Sequence, residues 1–196
     1  YLDTKHPIIV ENLMGIRRVK GSIQKGKKPL LINDLKQIIN VIHQEKNEFK
    51  KNQNKAMILI GFAGGFRRSE LVSIEYGDID FVSEGVKITV TKSKTDQTGI
   101  GLTKAIPYFE NKTYCPVISL RKWIEYSNIN IGKIFKVSDK TVALTIKKYA
   151  LMAGLDNSKY AGHSLRSGFA TSTAEIGADE RSIMAMTGHK TTQMVR

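Results

Sequence analysis

Cysteine is almost missing from this chain. Cys115 stands alone, so no internal disulfide framework can staple the fold, and the four histidines show no Cys/His spacing of the zinc-site kind. Long apolar runs are missing too: the most apolar stretch, Ala56 to Phe66, falls far short of the ~20 residues that cross a bilayer, and no signal-peptide pattern opens the chain. There are no internal repeats and no low-complexity runs. These absences exclude a disulfide scaffold, a zinc module and a membrane span, and they point to a reducing, cytosolic setting. Acidic residues are also in deficit, eighteen Asp+Glu against thirty-one Lys+Arg, for a formal charge of +13. Such a surplus favours a polyanionic partner, nucleic acid first, although a generally Lys-rich composition accounts for the same number.

What is present supports a folded unit. At 41% hydrophobic over 196 residues the chain can bury a core for one main domain plus a fragment of another. Residues 7–16 place Ile9, Leu13 and Ile16 on one helical face, and the following GIRRVKGSIQKGKKP reads as a linker. Residues 1–28, with seven Lys/Arg against two acids, are expected to be the end of a preceding domain plus this linker, either a strap along phosphates or simply solvated. From residue 29 on, Asn33 and Asp34 can cap a helix with Leu35, Ile38, Ile39 and Ile42 inward, and a second helix covers Ala56 to Ala63 after a polar stretch. A short helix over Arg67 to Ser73 leads to strands near Ile79–Val82, Val86–Thr91 and Lys104–Tyr108. Helices resume at Pro116, after Ser138, over Leu165–Ile176 and over Asp179–Met186, with Gly154, Gly177 and Gly188 as stops. The expected fold is α+β, mainly helical with a small three-stranded antiparallel sheet.

Four short strings stand out: GFRRSEL (65–71), SKT (93–95), HSLR (163–166) and TGHKTTQ (187–193). In this order and spacing they resemble the active-site boxes of tyrosine recombinases of the phage-integrase type, over roughly residues 30–196. Any one box is weak; four in register are specific. Carried over, the resemblance makes Arg67, Lys94, His163, Arg166 and His189 catalytic and Glu70 supporting. It also expects a nucleophilic tyrosine nine residues after His189, two places past Arg196, so residues 29–196 would be the catalytic domain cut short of its nucleophile and inactive as it stands.

The chemistry suits these residue types. In-line attack on a phosphodiester piles charge onto the non-bridging oxygens, and a metal-free enzyme must meet it with fixed donors. Guanidinium groups stay charged and offer a planar fork that matches phosphate, hence Arg67 and Arg166 as a clamp. His163, one helical turn before Arg166, has a pKa suited to accepting the nucleophile's proton. By the resemblance, Lys94 would protonate the leaving 5′ oxygen and His189 would donate to the scissile phosphate, while Glu70 orients its neighbours. Arg68 rivals Arg67 by spacing alone, and Lys92 rivals Lys94. Taken singly, His163 and His189 would be capping or surface histidines. His6 and His43 belong to no box.

The resemblance implies site-specific recombination of double-stranded DNA through a 3′-phosphotyrosyl link, without metal or other cofactor, by a homotetramer on DNA that is monomeric in isolation, in the bacterial cytoplasm or nucleoid. Two rivals remain: a type IB topoisomerase, which reseals the same strand, and a non-catalytic DNA-binding relative. No G-x-S-x-G elbow supports a hydrolase, and the Asp78/Asp80 pair lacks the third acid that a two-metal nuclease needs.

Overall fold

The structure, a computed structural model, describes residues 6–20, 27–91 and 101–188. Helix α1 runs from Pro7 to Lys20, into the expected linker string that begins at Gly15. Of its expected apolar face Ile9 is half-buried, while Leu13 and Ile16 are exposed. Helix α2 spans Ile32–His43 and buries Leu35, Ile38, Ile39 and Ile42, as its 3.6-residue spacing requires. Its N-cap is Leu31, so Asn33 and Asp34 lie inside the first turn. Asp34 has other work: it accepts from the Tyr160 hydroxyl at 2.7 Å and from Lys28 at 3.1 Å.

Helix α3, Glu48–Ala63, starts eight residues before the expected Ala56. Asn47 caps it by accepting from the Lys50 amide at 2.9 Å, so the polar stretch is the helix's first half. Its second half, Ala56 to Ala63, is buried throughout and forms the centre of the core. Two short elements follow: α4, Arg68–Ser73, and a 3-10 turn at Tyr76–Asp78. The sheet then runs β1 Ile79–Val82, β2 Gly85–Val90 and β3 Leu102–Pro107, antiparallel in the order β1-β2-β3. Val86, Ile88 and Val90 of β2 face the core, and β3 pairs with them as Val86↔Ile106, Ile88↔Lys104 and Val90↔Leu102.

The remaining helices are α5 Pro116–Ser127, α6 Asp139–Met152, α7 Ser164–Glu175 and α8 Glu180–Thr187, with a 3-10 turn at Asn157–Lys159 between α6 and α7. Pro116 starts α5, and Ser138 caps α6 by accepting from the Thr141 amide at 3.2 Å. Helix α3 packs on α5 and α7, and α2 on α6. Trp123 of α5 is fully buried, its indole donating to the Ile134 carbonyl at 2.9 Å and its ring meeting Phe49 edge-on at 4.9 Å. Each such aliphatic or aromatic burial contributes about 1.5–3 kcal/mol.

The segment that enters the domain is stitched to the start of α7. The Lys28 amide donates to the Lys159 carbonyl at 2.7 Å and the Leu30 amide to the Ser164 carbonyl at 2.9 Å. Gly168 allows this approach, since a Cβ there would lie 2.0 Å from the Leu30 carbonyl oxygen. The α+β expectation, mainly helical with a three-stranded antiparallel sheet, therefore holds.

Candidate active site

The site is built around the end of α3. Gly64 is the C-cap and Gly65 takes the left-handed conformation at φ 55°. The Phe66 amide donates back to Gly61 at 3.1 Å and the Gly65 amide to Phe62 at 3.0 Å, the paired bonds of a Schellman turn. A side chain at position 65 would be strained, and its Cβ would lie 2.9 Å from the Phe169 ring. This turn consumes amides and leaves the Gly64 and Gly65 carbonyls to donors from outside the helix. Both are taken by cations from elsewhere: Lys104 of β3 donates to Gly64 at 2.7 Å, and Arg166 of α7 donates to Gly65 at 2.9 Å.

Arg67 follows at the N-cap of α4 and is locked by Glu70 at N3. The Glu70 carboxylate accepts from the Arg67 amide at 3.0 Å and from its guanidinium at 2.5 Å, and Glu70 is buried. Burial opposes ionisation of this carboxyl, but the Arg67 amide and guanidinium and the nearby Lys104 outweigh it and hold its pKa below the usual carboxylate range. Arg166 is only 5% exposed. Burial first, then repulsion from Arg67, pull its pKa down to about 10, with Glu70 opposing. Arg166 therefore stays charged at neutral pH and lies close enough to Arg67 to be repelled by it, with the Glu70 carboxylate beside the pair.

Lys104 completes the cluster. It is fully buried on the core face of β3, with Nζ 4.6 Å from the centre of the Phe66 ring. Besides Gly64 it donates to the Met186 carbonyl in the last turn of α8. Burial, with repulsion from Arg166 and Arg67, lowers its pKa to about 8 against the pull of Glu70.

His163 caps the start of α7, one turn before Arg166, with its side chain exposed and its carbonyl accepting from the Ser167 amide at 3.0 Å. The fold thus unites Arg67, Glu70 and Arg166 and sets His163 on the same helix start. Lys94, its rival Lys92, and His189 lie outside the described residues. Gly188, next to His189, is the left-handed cap of α8 at φ 64°, and a Cβ there would lie 3.5 Å from Leu102 of β3.

Arg67 and its rival Arg68 differ in their contacts. The Arg68 side chain lies where a Cβ on Gly162 would stand, and its guanidinium reaches Asp139 of α6 at 3.9 Å. Arg68 therefore turns away from Glu70 and Arg166, and Gly162 is small because that arginine passes over it. Asp78 accepts from the Glu75 amide at 2.9 Å, a local turn-closing role, while Asp80 sits exposed on β1 opposite Lys87.

The family profile described as Phage integrase family matches residues 29–196. The chain belongs to the phage integrase family. Within this family it is 44% identical over 195 residues to an integrase/recombinase XerD homolog of Selenomonas ruminantium, an alignment covering 93% of this chain and 57% of that protein. It is 31% identical over 149 residues to the tyrosine recombinase XerD of Proteus mirabilis, covering 70% of this chain and 44% of the relative. The chain thus spans about half the length of these curated relatives. Solved structures of the family share the fold: the XerH site-specific recombinase in a post-cleavage complex with difH aligns with TM-score 0.73 at 16% identity, covering 88% of this chain and 49% of that one. The XerA recombinase aligns with TM-score 0.68 at 16% identity, over 100% of this chain and 70% of that one.

Among phage integrase boxes, Arg67, His163 and Arg166 were readable from the strings that contain them. Lys104 was not. A lysine in a strand reads as solvent-facing, yet the alternation Lys104, Ile106 sets it on the inward face with a buried isoleucine. That alternation was the available signal. No described helix is long and apolar enough to cross a membrane.

Proposed function

We propose that the protein of which this chain is part carries out site-specific recombination of double-stranded DNA, by cleavage and rejoining of strands through a 3′-phosphotyrosyl intermediate. The observation that carries this reading is the pairing of Arg67 and Arg166 around one turn, both charged and braced by Glu70 and the Gly65 carbonyl. Such a fixed pair meets the charge that develops on a phosphorane's non-bridging oxygens at no cost in reorganisation. A tyrosine hydroxyl attacks phosphorus, its proton passing to His163. The P–O5′ bond breaks, and Lys94 gives the 5′ oxygen a proton. His189 donates to the phosphate. The phosphotyrosine ester keeps the energy of the bond it replaces, so the freed 5′ hydroxyl of a partner strand can reverse the step without ATP.

Charge supports the substrate: thirteen net positive charges favour a duplex through counterion release. Residues 1–28 are read as the end of a preceding core-binding domain with its linker, a reading that the exposed Leu13 and Ile16 support. Assembly on paired sites as a homotetramer belongs to the same proposal.

The test is a suicide-substrate assay on the full-length protein in EDTA. A covalent DNA adduct is expected for the wild type, and at least 10²-fold less for Arg67→Ala. A strict requirement for added Mg²⁺ would overturn the scheme.

A further inference from the structure

The mechanism above gives Lys104 nothing to do, yet its placement is costly. An ammonium group sits fully buried on β3, opposite the buried Ile88, in a strand position where an apolar side chain would pack without penalty. Its contacts are what an apolar residue could not supply. It donates to the Gly64 carbonyl, three residues before Arg67, and to the Met186 carbonyl, three residues before His189. It also lies within electrostatic reach of Arg67 and Glu70 at the start of α4 and of Arg166 on α7. One side chain on the sheet therefore ties together the turn that carries Arg67, the end of α8, and the charge balance around Arg166.

We propose that Lys104 is a positioning residue for strand cleavage: as an ammonium it pins the Gly64–Arg67 turn and the end of α8 to one point on β3, and its charge sets the arginine pair's field. This rests on the cleavage chemistry proposed above. Lys104 is too enclosed to touch a phosphate, so it acts through Arg67, Arg166 and the last turn of α8. With a pKa near 8 it loses its proton just above physiological pH, which separates a charge role from simple packing. The groups facing it are Glu70, which favours the charged form, and Arg67 and Arg166, which oppose it.

The experiment is single-turnover cleavage of a suicide DNA substrate by the full-length protein between pH 6.5 and 9.5, with DNA affinity and thermal midpoint measured alongside. At pH 7 Lys104→Met should bind DNA within about threefold of wild type and cleave about 10²-fold more slowly, the size of effect seen when one fixed charge-stabilising donor is lost. Above pH 8 the ratio of wild-type to Lys104→Met rates should fall by up to about tenfold per unit as the wild type deprotonates. Lys104→Arg keeps the charge at every pH used, so it should retain most of the rate and lose the alkaline decline. A wild-type to Lys104→Met ratio that is the same at pH 7 and 9.5, or a methionine variant as fast as wild type, overturns the proposal. If Lys104→Met does not fold, an alkaline decline persisting in Lys104→Arg overturns it equally. If neither folds, the Cε resonance of Lys104 in wild-type protein decides, supporting the proposal if it titrates in step with cleavage and overturning it if it does not. Arg67→Ala, run in parallel, separates the two layers. An active Arg67→Ala sinks the cleavage scheme itself, whereas an inactive Arg67→Ala beside a fully active Lys104→Met sinks only the role of Lys104.

Discussion

Two helices of this domain end in the same way. Helix α3 closes with Gly65 at φ 55°, the Phe66 and Gly65 amides donating to Gly61 and Phe62. Helix α6 closes with Gly154 at φ 75°, the Leu155 and Gly154 amides donating to Ala150 and Leu151 at 2.9 and 3.0 Å. By local rules the two turns are interchangeable. Their surroundings are not. A Cβ at Gly154 would meet nothing within 4 Å, whereas one at Gly65 would press on Phe169 of α7 and Thr187 of α8. The carbonyls of the first turn take a buried lysine and a buried arginine. The same terminator thus serves once to stop a helix and once as a socket for cations, and what distinguishes them is long-range: residues 104 and 166 arriving from β3 and α7.

Breaking both turns identically should expose that difference. Gly65→Ala forces a left-handed alanine and a clash with Phe169, so a loss of about 3 kcal/mol in denaturant unfolding is expected. With it should go at least 10²-fold of suicide-substrate cleavage, because Arg67 and the Arg166 acceptor move with the turn. A Gly65→Ala protein that cleaves normally would show that the turn does not position the arginines.

A pH comparison sharpens the role of the cations next. The pKa of Lys104 falls from 10.5 to about 8 on folding, so between those values the native protein has released a proton that the unfolded chain still holds. Stability then rises with pH across that window, because the cost of burying the ammonium, present in full below about 8, is progressively relieved. Unfolding free energies of wild type minus Lys104→Met should increase by on the order of 2 kcal/mol between pH 7.5 and 10. A difference that stays constant with pH would place the lysine's charge outside the folding balance.

The smallest effect belongs to the other turn. Gly154→Ala pays only the left-handed backbone term, about 1 kcal/mol, and cleavage should stay within twofold of wild type. A large catalytic loss there would mean that the end of α6 is coupled to the site after all.

Much of this architecture was legible in the amino-acid order, for physical reasons that also explain the lapses. The buried set Leu35, Ile38, Ile39 and Ile42 and the bounds of β1 follow from periodicity, which tertiary packing did not disturb. The first half of α3 escaped because residues 48–55 carry too few apolar side chains to show a period. Its start depends on the Asn47 cap instead. Asp34 looked like a cap but serves Tyr160, 126 positions away, a contact no local window contains. Arg67 and Arg166 were legible as parts of strings. The Gly65 carbonyl that aligns Arg166, and the lysine that fills the neighbouring carbonyl, depend on three segments meeting, which only folding brings about.

The amide clasp between residues 28–30 and residues 159–164 has a mechanical meaning. Traction on the chain ahead of residue 28 is delivered not to the middle of the core but to the threshold of α7, within one turn of His163 and Arg166. Force entering by that route acts beside His163 and Arg166, so the seating of residues 28–30 bears directly on the geometry of the proposed phosphate clamp.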